Sequence, residues 1–293
     1  MLRFKTITEE KECRNLWEEF SKKQILWDLW DFRFCFHNKS SEFNFILGLN
    51  GKKKEGIIPL IYDKDCATYT YFGDTFPEQN KFFLKDKSNL KLFLKHCPED
   101  TQIYYIDAEE AKYYDFKAGD KRYFLDLEKY GNSYQNYFKS FSRKHRKNLN
   151  YDLNKLKEKG YIIEKNKIDD FDRLVELNKE RFGKDSDYNE DDFLDGMKKL
   201  INIANNKNLL DLISIRINNN VEAVSLGVHH NNIYYVLGFG RNVDINNLGK
   251  LLITEQIKSA INHKCNKVDF LSTESNWKEL WNLDSELMYE FEK

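Results

Sequence analysis

Ile233-Tyr-Tyr-Val-Leu-Gly-Phe-Gly-Arg-Asn-Val-Asp-Ile-Asn-Asn-Leu-Gly-Lys-Leu-Leu252, with its sequel Lys267-Val-Asp-Phe-Leu271 and Asn276-Trp-Lys278, is the stretch on which the fold turns. It reads as a strand, a glycine-bearing turn, an amphipathic helix and a second strand. A helix that starts after such a turn offers free backbone N–H groups and the positive end of its dipole. Such an end holds phosphate or carboxylate.

Working outward, the same order of elements occurs twice. In the second half, Ile168 to Phe182 and Phe193 to Ala204 have helical spacing. Strands follow at Leu210 to Ile217, Val221 to His230 and Ile233 to Gly240, separated by asparagine turns. A helix from Leu248 to His263 and a strand from Lys267 to Leu271 complete the set. In the first half, helices are expected at Thr8 to Lys22 and Leu26 to Phe36. Strands are expected at Phe43 to Leu49, Gly56 to Ile61 and Thr68 to Gly73, then a helix at Asn89 to His96 and a strand at Gln102 to Asp107. Phe72-Gly73 matches Phe239-Gly240. One long helix is expected to join the halves through Tyr134, Phe138, Phe141, Leu149, Leu153 and Leu156, capped by Ser133 and ended by Gly160. The domains are then 1–131 and 132–293.

Composition narrows the function. A length of 293 residues suits two domains, and the 41% hydrophobic content supplies their cores. Net charge is −1, so global charge gives no argument for nucleic acid or membrane binding. Locally, Lys139 to Lys159 is basic and Asp169 to Asp195 acidic; both also read as ordinary solvated helix faces. Five scattered cysteines argue for a reducing compartment and against a disulfide frame or zinc site. Neither a signal-peptide pattern nor an apolar run of roughly 20 residues occurs, so the expected location is the cytoplasm, with no membrane partner.

Three antiparallel strands, a turn, a helix and a further strand beside the third resemble the core of the GNAT acyltransferase superfamily. Ser142-Arg-Lys-His-Arg-Lys-Asn-Leu149, the glycine turn before Leu251-Leu252, Asp269-Phe270 and Trp277-Lys278 sharpen this to the BioF2-like (CelD-type) acetyltransferase domain, related to the Fem aminoacyl transferases. The specific likeness covers about Tyr134 to Trp281; the first half fits as a degenerate sister lobe. The resemblance implies an α/β (α+β) fold of tandem GNAT-like lobes, each a mixed, mainly antiparallel sheet flanked by helices. It implies an N-acyltransferase that moves an acyl group from acyl-CoA to an amine of a small molecule or peptide in the cleft between the lobes. An aminoacyl-tRNA-dependent transferase and a non-catalytic binding module are the alternatives.

Candidate residues follow. Leu248, Gly249 and Lys250 at the helix start, with Arg241, are expected to hold the donor; the plain alternative is a glycine that only shapes a helix start. Asp269 and Glu274 are candidate proton acceptors, or hydrogen-bonded structural acids. Lys278 is expected to balance an anion or position a carbonyl, or to be a surface lysine beside packed Trp277. Strand alternation sends Tyr234 and Tyr235 to opposite faces, with Tyr234 slightly favoured for the cleft and Tyr235 for substrate. Arg143, Arg146 and Trp277 are expected to touch substrate. His145 falls on the apolar stripe and reads as a satisfied buried histidine. His229 and His230 are adjacent on a strand, point opposite ways and cannot chelate together; no metal spacing or Ser/His/Asp constellation is present.

Overall fold

The computed structural model describes residues 2–73, 76–272 and 276–293. The chain forms two compact units. The first holds residues 1–122 and 286–293, the second 123–285. The division therefore falls nine residues before the expected 131/132 boundary, and the C-terminal strand belongs to the first unit. The reason is visible in the packing: Leu125 and Leu127 are already buried in the second unit's core.

In the first unit, β1 (Arg3–Ile7) and α1 (Glu10–Phe20) lead to α2 (Trp30–Phe34). Strands β2 (Ser41–Asn50), β3 (Lys53–Asp63), β4 (Thr68–Tyr71) and β5 (Phe83–Leu84) follow, then α3 (Leu90–Lys95) and β6 (Gln102–Ile106). The sheet runs β1-β2-β3-β4, with β5 on β3. Its core is aromatic, with Trp17, Trp30, Phe43, Phe45 and Phe72 in mutual contact.

Strand β7 (Lys117–Asp126) carries the chain into the second unit. There α4 (Tyr134–Ser140) and α5 (Arg143–Glu158) precede β8 (Tyr161–Lys165), α6 (Asp170–Phe182) and α7 (Asp191–Asn206). Next come β9 (Leu210–Ile217), β10 (Asn220–His230), β11 (Ile233–Arg241), α8 (Leu248–Asn262), β12 (Lys267–Asp269) and α9 (Asn276–Glu279). Strand β13 (Asp284–Glu292) returns to the first unit and pairs antiparallel with β6, Ile106 opposite Tyr289. In the second unit β8, β9, β10 and β11 are successive antiparallel neighbours; β12 lies parallel to β11 and antiparallel to β7.

The asparagine turns form as expected. Asn218, Asn219, Asn231 and Asn232 all have positive φ, which two-residue hairpin loops demand and asparagine tolerates. Ser133 caps α4 through its hydroxyl, 3.4 Å from the Asn136 N–H, and Gly160 leaves α5 at φ +72°. The single joint helix is a misreading: it breaks at Phe141-Ser142. The Ser142 hydroxyl accepts the His145 N–H at 3.2 Å and starts a new helix. Arg146 then donates to the carbonyls of Lys139 and Phe141, closing the end of α4.

Two glycines decide packing on the central strands. A Cβ on Gly240 would stand 2.3 Å from the Leu174 carbonyl oxygen, so α6 lies directly on the β11 backbone. A Cβ on Gly227 would stand 2.1 Å from the Tyr234 hydroxyl and 2.4 Å from Cζ. Gly227→Ala is therefore expected to lower the unfolding free energy by roughly 1–3 kcal/mol, measured by urea denaturation.

Candidate active site

The site is set by where two parallel strands part. The β11–β12 ladder pairs Ile233 with Lys267, Tyr234 with Val268 and Tyr235 with Asp269, and stops there. Strand β11 runs on to Arg241, paired among the described residues with β10 alone. The other chain turns away. The Asp269 carboxylate accepts the Leu271 N–H at 3.0 Å, and Leu271 sits at φ +59°. A branched residue with positive φ is costly and persists only where its surroundings fix it. Lys278 does much of the fixing: Nζ donates to the carbonyls of Phe270 (2.9 Å) and Leu271 (3.0 Å) and lies 4.7 Å from the centre of the Tyr123 ring. Asp269 and Lys278, both buried, thus build the opening between the strands.

Helix α8 begins beside that opening. Asn247 precedes it in the left-handed conformation, φ +72°, and makes no side-chain cap. The first turn keeps its N–H groups available. Arg241, at the end of β11, lies across this turn, its Cδ and Nε 3.6 Å from where a Gly249 side chain would begin. From α6, Arg181 rests on the rings of Phe182 (4.6 Å) and Phe239 (5.3 Å). Burial, then the charge of Arg241, pull the Arg181 guanidinium below its ordinary value. Among the described residues neither arginine has a carboxylate partner. A cation beside an uncapped helix start, with a second cation near it, is an arrangement that suits an anion.

The other expected residues divide. Leu248 is a core side chain that contributes only its backbone here. Lys250 points to the opposite flank of the same turn, 2.5 Å from Asp152 on α5. Tyr234 is fully buried and donates to Asp211 at 2.7 Å, so it cannot face a cleft; the Gly227 gap draws its ring inward. Tyr235 is equally buried, against the expectation that it meets substrate. Trp277 packs edge-on to Phe270. Arg143 is exposed on α5, whereas Arg146 is occupied with α4. Glu274 lies outside the described residues.

Two residues were not foreseen as site residues. Arg181 carried no motif; only its contact with Phe239 reveals it. His145 was read as buried, but it is partly exposed and lines a recess of about 230 Å³ with Asn148, Leu149, Lys250, Leu280 and Trp281. Burial, then the nearby Lys250 charge, hold its imidazole below the usual value.

Comparison with known proteins adds the family. Residues 143–279, just under half of the chain, match the model described as an acetyltransferase (GNAT) domain. Over this segment the chain is similar to GNAT acetyltransferases. No curated protein matches it. Among solved structures, FemX is 11% identical, with a TM-score of 0.59 over 98% of this chain and 96% of its own. L-PGS from Bacillus licheniformis is 11% identical, TM-score 0.58, over 97% and 91%. A tandem GNAT protein from the clavulanic acid biosynthesis pathway is 10% identical, TM-score 0.56, over 100% and 98%. These likenesses establish the fold, and the tandem GNAT architecture read from the sequence holds. No helix among the described residues is long and apolar enough to cross a membrane.

A polar network supports the far end of β11 in this GNAT lobe. Burial by itself would raise the Asp211 carboxyl, but hydrogen bonds from Ser259, Tyr234 and Lys165, with the Lys165 charge, hold it below its ordinary value. His229 stacks on His263 at 4.0 Å. Burial, then the charge of His263, lower the His229 imidazole from its ordinary 6.5.

Two outcomes follow from these contacts. Lys278→Met strands the buried Phe270 carbonyl, while that of Leu271 still accepts the Tyr123 N–H at 3.1 Å, and is expected to cost roughly 1–3 kcal/mol of stability, read from urea melts. The unfolded His229 binds a proton more readily than the folded one, so its stabilising effect is complete above 6.5 and is lost as pH falls from there through the lower folded value. The urea midpoint is expected to drop from about pH 7.5 to about pH 5.5, and His229→Gln to shrink that drop.

Proposed function

We propose that this GNAT-fold protein is an N-acyltransferase that uses acyl-CoA as donor and an amine of a small molecule or peptide as acceptor. The observation that carries the reading is the unopposed Arg181–Arg241 pair at the uncapped start of α8, beside the parted strands β11 and β12. The donor's pyrophosphate sits at the helix start, where N–H groups and two guanidinium groups converge. Its acyl-bearing arm runs into the opening past Tyr235 and Asp269. Beyond Tyr235 the backbone N–H groups of β11 that point away from β10 are open to the acyl carbonyl, and can hold charge as it develops there. Catalysis of this kind rests on placing amine and carbonyl together.

A second donor is favoured by one observation. On α4, α5 and the residue that ends α5, Lys139, Arg143, Lys144, Lys147, Lys157 and Lys159 are exposed with no carboxylate partner among the described residues, and exposed Tyr151 lies among them. That surface suits the backbone of an aminoacyl-tRNA.

Thermal unfolding separates the donors. At 100 times its Kd, CoA is expected to add about 2.7 kcal/mol of stability, and Arg241→Ala and Arg181→Ala to remove most of it. Stabilisation by tRNA and not by CoA, weakening steeply with salt, assigns the second donor. No response to either overturns the transferase reading in favour of a binding module.

A further inference from the structure

Strand β1 is the edge of the first lobe's sheet, paired among the described residues with β2 alone. Its register sets Arg3 opposite Leu49 and Lys5 opposite Leu47, so the two cations share one face. Beyond Leu49 the β2–β3 hairpin turns at Gly51, φ +60°, and brings Lys52 to the same place. Arg3, Phe4, Lys5, Leu49, Gly51 and Lys52 line a surface cavity of about 440 Å³, within the roughly 300–1,000 Å³ of small-molecule sites. All three of its charged groups are cations, and none has a carboxylate partner among the described residues. Lys54, two residues further on, is by contrast paired with Glu19 at 2.6 Å. The second lobe shows that such an edge need not be left this way. Its β8 precedes α6 as β1 precedes α1, and pairs with β9 as β1 pairs with β2. There Lys165 meets Asp211 at 3.1 Å, Lys167 meets Glu164 at 2.5 Å, and Arg216 of β9 holds Glu164 and Asp170. At β1 three like charges around one cavity repel one another instead.

We propose that this cavity binds a small organic oxyanion of two or more negative charges, a phosphate ester or a polycarboxylate. Arg3 meets two oxygens side by side through its planar fork, and Lys5 and Lys52 act as point charges. In an antiparallel ladder alternate residues turn their N–H away from the partner strand. At least one of Arg3, Phe4 and Lys5 therefore directs an N–H away from β2, where it adds a donor for the anion. Half-buried Leu49 gives the cavity an apolar side, which suits an organic anion better than bare phosphate. On the opposite face the Phe4 ring packs on Phe93 at 5.0 Å and on His96 at 3.8 Å, which fixes the strand that carries Arg3 and Lys5. All six lining residues lie in the first unit, and the inference stands apart from the acyltransferase reading.

The test uses the full chain carrying Arg181→Ala and Arg241→Ala, so that the start of α8 does not answer for the cavity. Phenyl phosphate, citrate and inorganic phosphate are titrated by calorimetry at constant ionic strength, with acetate and chloride as controls. One site per chain is expected, with phenyl phosphate bound more tightly than inorganic phosphate. Lys5→Glu and Lys52→Glu are each expected to weaken binding about ten-fold or more. Both side chains are exposed, so the melting temperature without ligand is expected to hold in these variants. In the otherwise wild-type chain Lys5→Glu is expected to leave any stabilisation by CoA unchanged, which separates this cavity from the donor site. Absence of heat with all three anions, heat that acetate or chloride reproduces, or binding that survives Lys5→Glu and Lys52→Glu together overturns the inference. Capture of the chain by phosphatidic acid vesicles without any response to the soluble anions also overturns it, and assigns the basic edge to a lipid surface.

Discussion

Strand β12 is three residues long, and the second lobe is organised around that brevity. A longer parallel ladder would close the space beside β11. The ladder ends because Asp269 captures the Leu271 N–H and forces the chain into a left-handed turn. Lys278 then holds the carbonyls that the turn exposes to the interior. A buried ammonium needs compensation, and it obtains two carbonyl oxygens and the face of Tyr123. The turn and the lysine therefore require each other, and the opening exists because both are present.

That dependence explains what was legible in the sequence. The aromatic-lysine pair and the Asp-Phe strand were marked from the sequence as candidate site residues, and Asp269 and Lys278 stand where β11 and β12 part. Their side-chain types suggested proton transfer and anion binding, yet their partners are backbone groups, which leave no trace in residue identity. The same blindness hid Arg146, whose guanidinium spans a helix break that the apolar stripe alone does not show. The stripe through Phe141 and Leu149 is continuous across the break; only the cap at Ser142 distinguishes two helices from one.

Four of the five strands that were missed share a cause; the fifth, β5, has two residues and so no period to read. Strands β1, β7, β8 and β13 are largely polar or half-buried, and lack the continuous apolar run of β9 and β10. In β13 the alternation of Glu286, Met288, Glu290 and Glu292 with Leu287, Tyr289 and Phe291 is interrupted by polar residues on both faces. Its place is fixed by partners distant in sequence, Ile103 and Ile106 on β6. Alternating hydrophobicity reports a strand with one dry face; it is weak where pairing supplies what burial does not.

The duplicated order of elements does not duplicate the site. In the first lobe, Phe72-Gly73 stands where Phe239-Gly240 stands in the second. The Phe239 carbonyl accepts from Asn178, an uncharged amide on α6. The Phe72 carbonyl accepts from Arg33, a buried guanidinium that also donates to the carbonyls of Trp27 and Gln79 and lies over the rings of Trp17 and Tyr71. Burial lowers Arg33 to about 10, which leaves it charged at neutral pH. Each of its three nitrogens donates to the lobe's own backbone. Among the described residues the second lobe instead leaves Arg181 and Arg241 without carboxylates, and its helix has fifteen residues, whereas the first offers α3, of six. One lobe has turned its cation inward to hold its structure; the other keeps its cations available for an anion.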